Sequence, residues 1–407
     1  MSSSRFSSLF LSALVTFSAA RAARAQSGRE LNVFPIAGGD SDVGIGVGAV
    51  GDWAALEPRK NPAFRWRLEG AAFVTFKTRE GPELIMPFQD VYLQLLVPRF
   101  GPRERLGLDA RLSFTDEHTL KYTGIGNASP PFPPDAQRAI AEHERLHPTA
   151  SVEVRGHLVG HVYLLAGTAY TENRLTVPPD TILAQQQANG PPEVRALLGD
   201  FAPHGVELLT AEAQYDSRDD PIVTGDGQFH TLRVRVSPPL GPHLPYSYQR
   251  GTLALRGYRT AIERWLTISA RLVGDVLLGD PPFYELARFD ETPALGGSKA
   301  VRGVPAQRYY GKVKVFGNLE AKSEILPFKI RNKDYVLGVA AFVDSGRTWT
   351  ELGRSNPALD GTGLGLKVGL GGGLRLQQGR TMLLRFDVAW SPDADPVGAY
   401  FSAGQIF

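Results

Sequence analysis

The chain has 407 residues, with 44 Gly, 30 Pro, no Cys, 43% hydrophobic residues and a formal charge of +2. The missing cysteine excludes disulfides and thiolate metal sites. The apolar share is too high for a disordered chain, in spite of the glycine and proline.

The first predicted element is a leader. Arg5 precedes an apolar run from Phe6 to Phe17, and Ala23-Arg24-Ala25 offers small residues where a signal peptidase reads. This predicts a cleaved signal peptide over 1–25 and a mature chain over 26–407. Cleavage would remove Arg5, Arg21 and Arg24 and turn +2 into −1, so charge gives no reason to expect nucleic acid. No later segment reaches the roughly 20 apolar residues of a spanning helix. An exported chain of this kind is periplasmic, secreted or an outer-membrane barrel.

Beyond the leader, apolar and polar residues alternate with a period of two. Strands are expected near 31–37, 42–54, 63–76, 85–97, 105–115, 149–159, 161–173, 206–216, 227–238, 246–258, 264–278, 311–326, 334–348, 363–376, 381–390 and 398–407. In "GLGLKVGLGGGLRL", Gly363 to Leu376, one face is mostly leucine and the other glycine with cations. Met382, Leu384, Phe386, Val388 and Trp390 likewise alternate with Leu383, Arg385, Asp387 and Ala389. About sixteen strands near the ~9–11 residues that cross a tilted wall predict an all-β fold, a transmembrane antiparallel β-barrel. With both termini periplasmic, the long connections 116–148, 174–205 and 279–310 fall on the outer side. Short helices are expected within them, at 135–147 and 191–199.

Motifs that suggest other chemistry are weak in context. "GIGVGAVG" (Gly44 to Gly51) contains G-x-G-x-x-G, but proline-broken "DWAALEPRKNP" comes next instead of a phosphate-binding helix. "HERLH" (His143 to His147) matches H-E-x-x-H on a plausible helix, but Pro148 ends that helix at once and no third ligand is evident. His157 and His161 are also four apart, with Gly160 as a turn between them. No G-x-S-x-G elbow appears. The reading is a protein that is not an enzyme, with no metal, no cofactor and no nucleic-acid partner.

The C-terminal half resembles the Omp85 superfamily, the bacterial surface antigen D15 family with its BamA/TamA-like members. "LGGSKAVRGVPAQRYYGKVKVFGNLEAKSE" carries the family's V-R-G-[FY] tetrad as Val301, Arg302, Gly303 and Val304, with valine in place of the usual aromatic. "YDSRDDPIVTGDGQF" is similar to the family's turn between strands eight and nine, through Tyr215, Asp216, Ser217, Arg218, Asp219, Pro221 and Gly225. "AAFVDSGRTW" is similar to its F-x-D-x-G strand. "FSAGQIF", with Phe401, Gly404 and Phe407, is similar to its C-terminal assembly signal.

The resemblance implies that the sixth outer loop folds into the lumen and that Arg302 pairs with acids on the inner wall. The alternation puts Lys312, Lys314, Asn318, Glu320 and Glu324 on one face and Phe342 and Asp344 on the lumen face of the next strand. Asp344, Glu320 and Glu324 are therefore the expected partners. It also implies a monomeric barrel in the outer membrane of a Gram-negative bacterium. The implied role is insertion of outer-membrane proteins or translocation of chains, with lipid, the barrel-assembly machinery and unfolded client chains as partners. Only a few residues precede the first strand, so the branch lacking POTRA domains is expected. The alternative is a non-catalytic pore or structural barrel that has lost client handling.

Overall fold

The computed structural model describes residues 28–57, 64–78, 83–220, 223–330, 333–378, 382–393, 397–403 and 406. The expected leader lies outside them. Sixteen long strands run in chain order: β1 Arg29–Asp40, β2 Gly44–Leu56, β3 Phe64–Thr78, β4 Phe88–Phe100, β5 Leu106–Lys121, β6 Thr149–Val159, β7 Val162–Thr176 and β8 His204–Asp216; then β9 Gly227–Ser237, β10 Ser247–Ile262, β11 Leu266–Asp280, β12 Val313–Ile330, β13 Lys333–Trp349, β14 Lys367–Gln378, β15 Met382–Trp390 and β16 Val397–Ala403. Each is antiparallel to the next, and β1 pairs with β16, so the sheet closes.

Closure is uneven. β1 pairs with β2 along its whole length, from Arg29↔Ala55 to Asp40↔Gly44. Against β16 it makes only two residue pairs among the described residues, Gly39↔Phe401 and Asp40↔Tyr400. Both lie at the rim that carries the long connections.

Alternation sets the two faces. On β14, Leu370 and Leu374 are 46% and 50% exposed on the outer wall, while Gly369 and Arg375 point inward and are buried. The same register puts Leu319 outside and Lys314, Asn318 and Glu320 inside on β12.

Some boundaries differ from the expectation. The fourteenth strand starts at Lys367 instead of 363, because Gly363 and Gly365 adopt left-handed φ of 73° and 53° and turn the chain. The twelfth runs on to Ile330 through a bulge between Glu324 and Leu326. The helix expected over 135–147 is corrected: a 3-10 turn covers Asp135–Ala141, and Glu142–Leu146 is a strand. It pairs with β5 on one side and β7 on the other, filling open edges that extend past the rim. The 191–199 region holds a helix, Pro192–Leu198, which comes after α1, Ile182–Asn189, and is numbered α2.

The long-loop rim carries a dome. α1, α2 and α3 (Phe283–Ala287) bury Leu183, Leu198, Phe283 and Leu286 against Tyr122 and Tyr310 in one apolar cluster. No helix among the described residues is long and apolar enough to cross a membrane, which says nothing of strands.

Candidate functional site

The connection 281–312 between β11 and β12 folds back into the lumen. Three of its residues, Ala300, Val301 and Val304, are buried in an apolar cluster with Phe289, Leu295 and Tyr309 of the same loop. Wall residues Ala254, Val273 and Phe316 complete that cluster. This anchorage accounts for the tolerance of valine at position 304, since rings are supplied from Phe289, Tyr309 and Phe316.

Between these apolar anchors Arg302 is fully buried. Its Nε donates to Asp344 Oδ2 at 2.7 Å and its Nη2 to Asp344 Oδ1 at 3.0 Å. Its backbone N–H adds a third bond to Oδ2 at 3.1 Å. Nη1 donates to Glu320 Oε2 at 2.9 Å and to Asp387 Oδ2 at 3.0 Å. The guanidinium lies 3.3 Å from the centre of the Phe342 ring, a cation–π contact. Burial disfavours the charge, but Asp344, Glu320 and Asp387 outweigh it and raise the pKa above its ordinary value.

The acids are themselves held. Arg375 donates to Asp387 Oδ1 at 2.6 Å and to Glu320 Oε2 at 3.0 Å. Asn318 donates to Asp344 Oδ1 at 2.8 Å and to the carbonyl of Ala300 at 2.8 Å. The cluster thus spans β12, β13, β14 and β15, and Tyr400 of β16 joins it, accepting from Gly303 N–H at 2.9 Å.

Glycine makes the approach possible. A Cβ on Gly369 would lie 1.8 Å from the Arg302 carbonyl oxygen, and one on Gly371 would lie 2.5 Å from the tip of the Phe342 ring. The glycine face of β14 is the seat of the loop backbone and of the ring that carries Arg302. Gly303 adopts φ 89°, and a Cβ there would lie 3.0 Å from the Trp390 carbonyl, so the loop backbone also rests closely on β15.

Of the expected partners, Arg302 meets Asp344 and Glu320. Glu324 is elsewhere, 3.8 Å from Arg264, because it stands four residues, about 13 Å, further along β12 than Glu320, toward the short-turn rim. Asp387 and Phe342 are partners that the sequence reading misses. Both stand in the inward register of their strands, which is the signal that could have found them.

The residues of the 215–225 motif are not at this cluster. Asp216 takes Arg218 through Nε and Nη2, each at 2.9 Å. Ser217 N–H donates to the carbonyl of Gln228 at 2.9 Å, and Asp219 Oδ1 accepts from Gly225 N–H at 3.0 Å. They form a self-bonded turn between β8 and β9, with Arg218 over the Phe229 ring and Tyr215 stacked on His230. Pro221 lies outside the described residues. Phe401 pairs with Phe386 and Gly39 at the closure. Gly404 and Phe407 lie outside the described residues.

His143 to Leu146 of the H-E-x-x-H pattern are on a strand and His147 follows directly; extended chain puts residues four apart about 13 Å from each other, too far for one ion. His143 is buried against Phe283, and His147 Nε2 is 2.9 Å from Glu117 Oε2. No three His, Cys, Asp or Glu residues among the described ones could hold a metal.

A family model described as the Omp85 superfamily domain matches residues 204–407. No curated protein matches. Among solved structures, the fold is similar to BamA from Haemophilus ducreyi lacking POTRA domains 1–3, at 13% identity and a TM-score of 0.63, covering 93% of this chain and 70% of that one. It is also similar to CdiB from Escherichia coli, at 12% identity and 0.57, covering 93% and 63%. CdiB from Acinetobacter baumannii matches at 11% identity and 0.50, covering 93% and 60%. The chain spans less than two thirds of either CdiB chain.

Proposed function

We propose that this chain, which belongs to the Omp85 superfamily, is a monomeric outer-membrane barrel that inserts barrel proteins into that membrane or passes chains across it. Its leucine and valine faces meet lipid, its long loops lie outside, and its termini are periplasmic. Its partners are lipid, unfolded client chains and the barrel-assembly machinery. The observation that carries the reading is the closure: among the described residues two residue pairs join β1 to β16, against full-length pairing of β1 with β2. A short ladder is the part of a closed barrel that opens at least cost, and an open β1 edge can template an incoming strand. The dome of Tyr122, Phe283 and Tyr310 over the long-loop rim counts against an open pore.

The test is reconstitution. The purified chain in lipid vesicles should speed the folding of an unfolded client barrel. A disulfide joining Ser41→Cys to Ala399→Cys, which face each other across the same seam, should abolish that gain, and reduction should restore it. A client that folds equally fast with and without the protein would refute the insertion role.

A further inference from the structure

Two cross-strand pairs inside the lumen set arginine against arginine: Arg256↔Arg271 between β10 and β11, and Arg375↔Arg385 between β14 and β15. Like charges directly opposite are destabilising unless something lies between them. Asp387 answers Arg375 and, at 3.3 Å, Arg385 Nε. Yet Arg385 is 3% exposed and its Nη1 has no partner. Arg256 reaches Glu291 through Nη2, and its Nη1 also has no partner.

Lys299, on the sixth loop, lines the same space as an exposed side chain. The charged groups acting on it are Arg385, Arg111 and Arg271, all cations. Arg256, Lys299 and Arg385 all line one cavity of about 450 Å³ in the lumen. The carboxylates on that cavity wall are already engaged: Glu212 and Asp290 by Arg233, and Glu291 by Arg256.

We propose that this cavity is a binding site for a phosphate-class oxyanion, held by Arg256, Lys299 and Arg385. Buried N–H donors without acceptors are costly. Guanidinium forks and an ammonium facing one space match a multiply charged tetrahedral oxyanion better than chloride. The site stands on the lumen geometry and is independent of the insertion role.

The experiment uses the full chain folded in detergent, with the temperature of loss of its folded gel form as readout. Inorganic phosphate is titrated against chloride at constant ionic strength, and short-chain phosphatidic acid is titrated in parallel. We expect a saturable upward shift. Lys299→Gln and Arg385→Gln should each weaken the apparent affinity about tenfold, 1.4 kcal/mol, while Lys312→Gln, outside the cavity, should leave it unchanged. Should Arg385→Gln fail to fold, the loop variant Lys299→Gln decides alone, because it leaves the wall ladder intact. A Lys299-dependent shift with free phosphate identifies a free anion; one with phosphatidic acid only identifies a lipid headgroup. A shift that never saturates or survives Lys299→Gln, or no shift with either probe, overturns the proposal.

Discussion

Arg302 grips both carboxylate oxygens of Asp344, at 2.7 and 3.0 Å, across 42 positions of sequence, and neither side chain reaches solvent. A buried pair of this kind is costly to halve, because the survivor is left as an uncompensated charge, at about 3–5 kcal/mol. The wall ladder does not include the loop, so Arg302→Ala should leave a closed barrel whose 281–312 segment is open to added protease. Asp344→Ala should behave alike. The double variant should be milder than the two singles summed, since both remove one interaction. Strict additivity in the protease assay would show that the pair does not fix the loop.

The same loop can be displaced without touching a charge. Gly369→Ala places a methyl group 1.8 Å from the Arg302 carbonyl oxygen, a contact that backbone must relieve by moving. Overpacking of this kind costs about 1–3 kcal/mol, and more where both partners are backbone. Gly369→Ala should therefore expose the loop to protease as Arg302→Ala does, with the acids and Arg375 still in place. Gly251→Ala, at a wall position with open space around its Cβ, should not. A protected loop in Gly369→Ala would remove β14 from the loop's seat.

Much of this arrangement is legible in the period of the pattern. Inward register on 311–326 and 334–348 puts Glu320 and Asp344 on the lumen face, and the tetrad places Arg302 between glycines. Asp387 carries the same inward signal on β15, but which inward acid meets a loop arginine depends on barrel curvature and loop path, which a period of two does not encode. Glu324 shows the converse: its register is inward and unbroken up to its pair with Gly338, but it stands about 13 Å along the strand from Glu320, so a shared face does not bring it to the arginine. The strand over Glu142–Leu146 reads as helix in the sequence because its apolar and polar residues suit either period, and only the open edges of β5 and β7 decide between them. The glycine face of β14 reads only as half of an alternating strand; its use as a seat for Arg302 is tertiary.

If the outward faces meet lipid, a charge there should be costly in proportion to depth. Leu370→Arg, on the exposed face of β14, should cost about 2–4 kcal/mol near the bilayer midplane and less toward the rim. Lys367→Gln, on the opposite face, loses an ion pair 3.5 Å from Asp393, about 0–1 kcal/mol, and a cation–π contact 4.6 Å from the Tyr309 ring, about 0.5–1 kcal/mol. Urea titration of the barrel in lipid vesicles measures both. Equal losses would mean that the two faces of β14 are assigned the wrong way round.

The dome should loosen in acid through two histidines outside the spanning strands. Burial pushes His143 down to about 3, with Glu117 opposing and Arg145 assisting. Burial and Arg145 push His147 down to about 4, against the hydrogen bond that its ring donates to Glu117. Both rings are therefore neutral when folded, while in the unfolded chain they titrate near 6.5. Below that value the unfolded chain takes up protons that the folded dome refuses, so stability falls as pH falls. The contribution is whole above about pH 6.5 and is lost progressively toward the folded values. Amide exchange in 122–148, compared at pH 7 and pH 5 after correction for the intrinsic rate, should show faster opening at the lower pH. His143→Phe keeps an aromatic ring against Phe283 and cannot titrate, so it should flatten that dependence. A dependence that persists in His143→Phe, and again in His147→Gln, would place the acid-sensitive group elsewhere in the barrel.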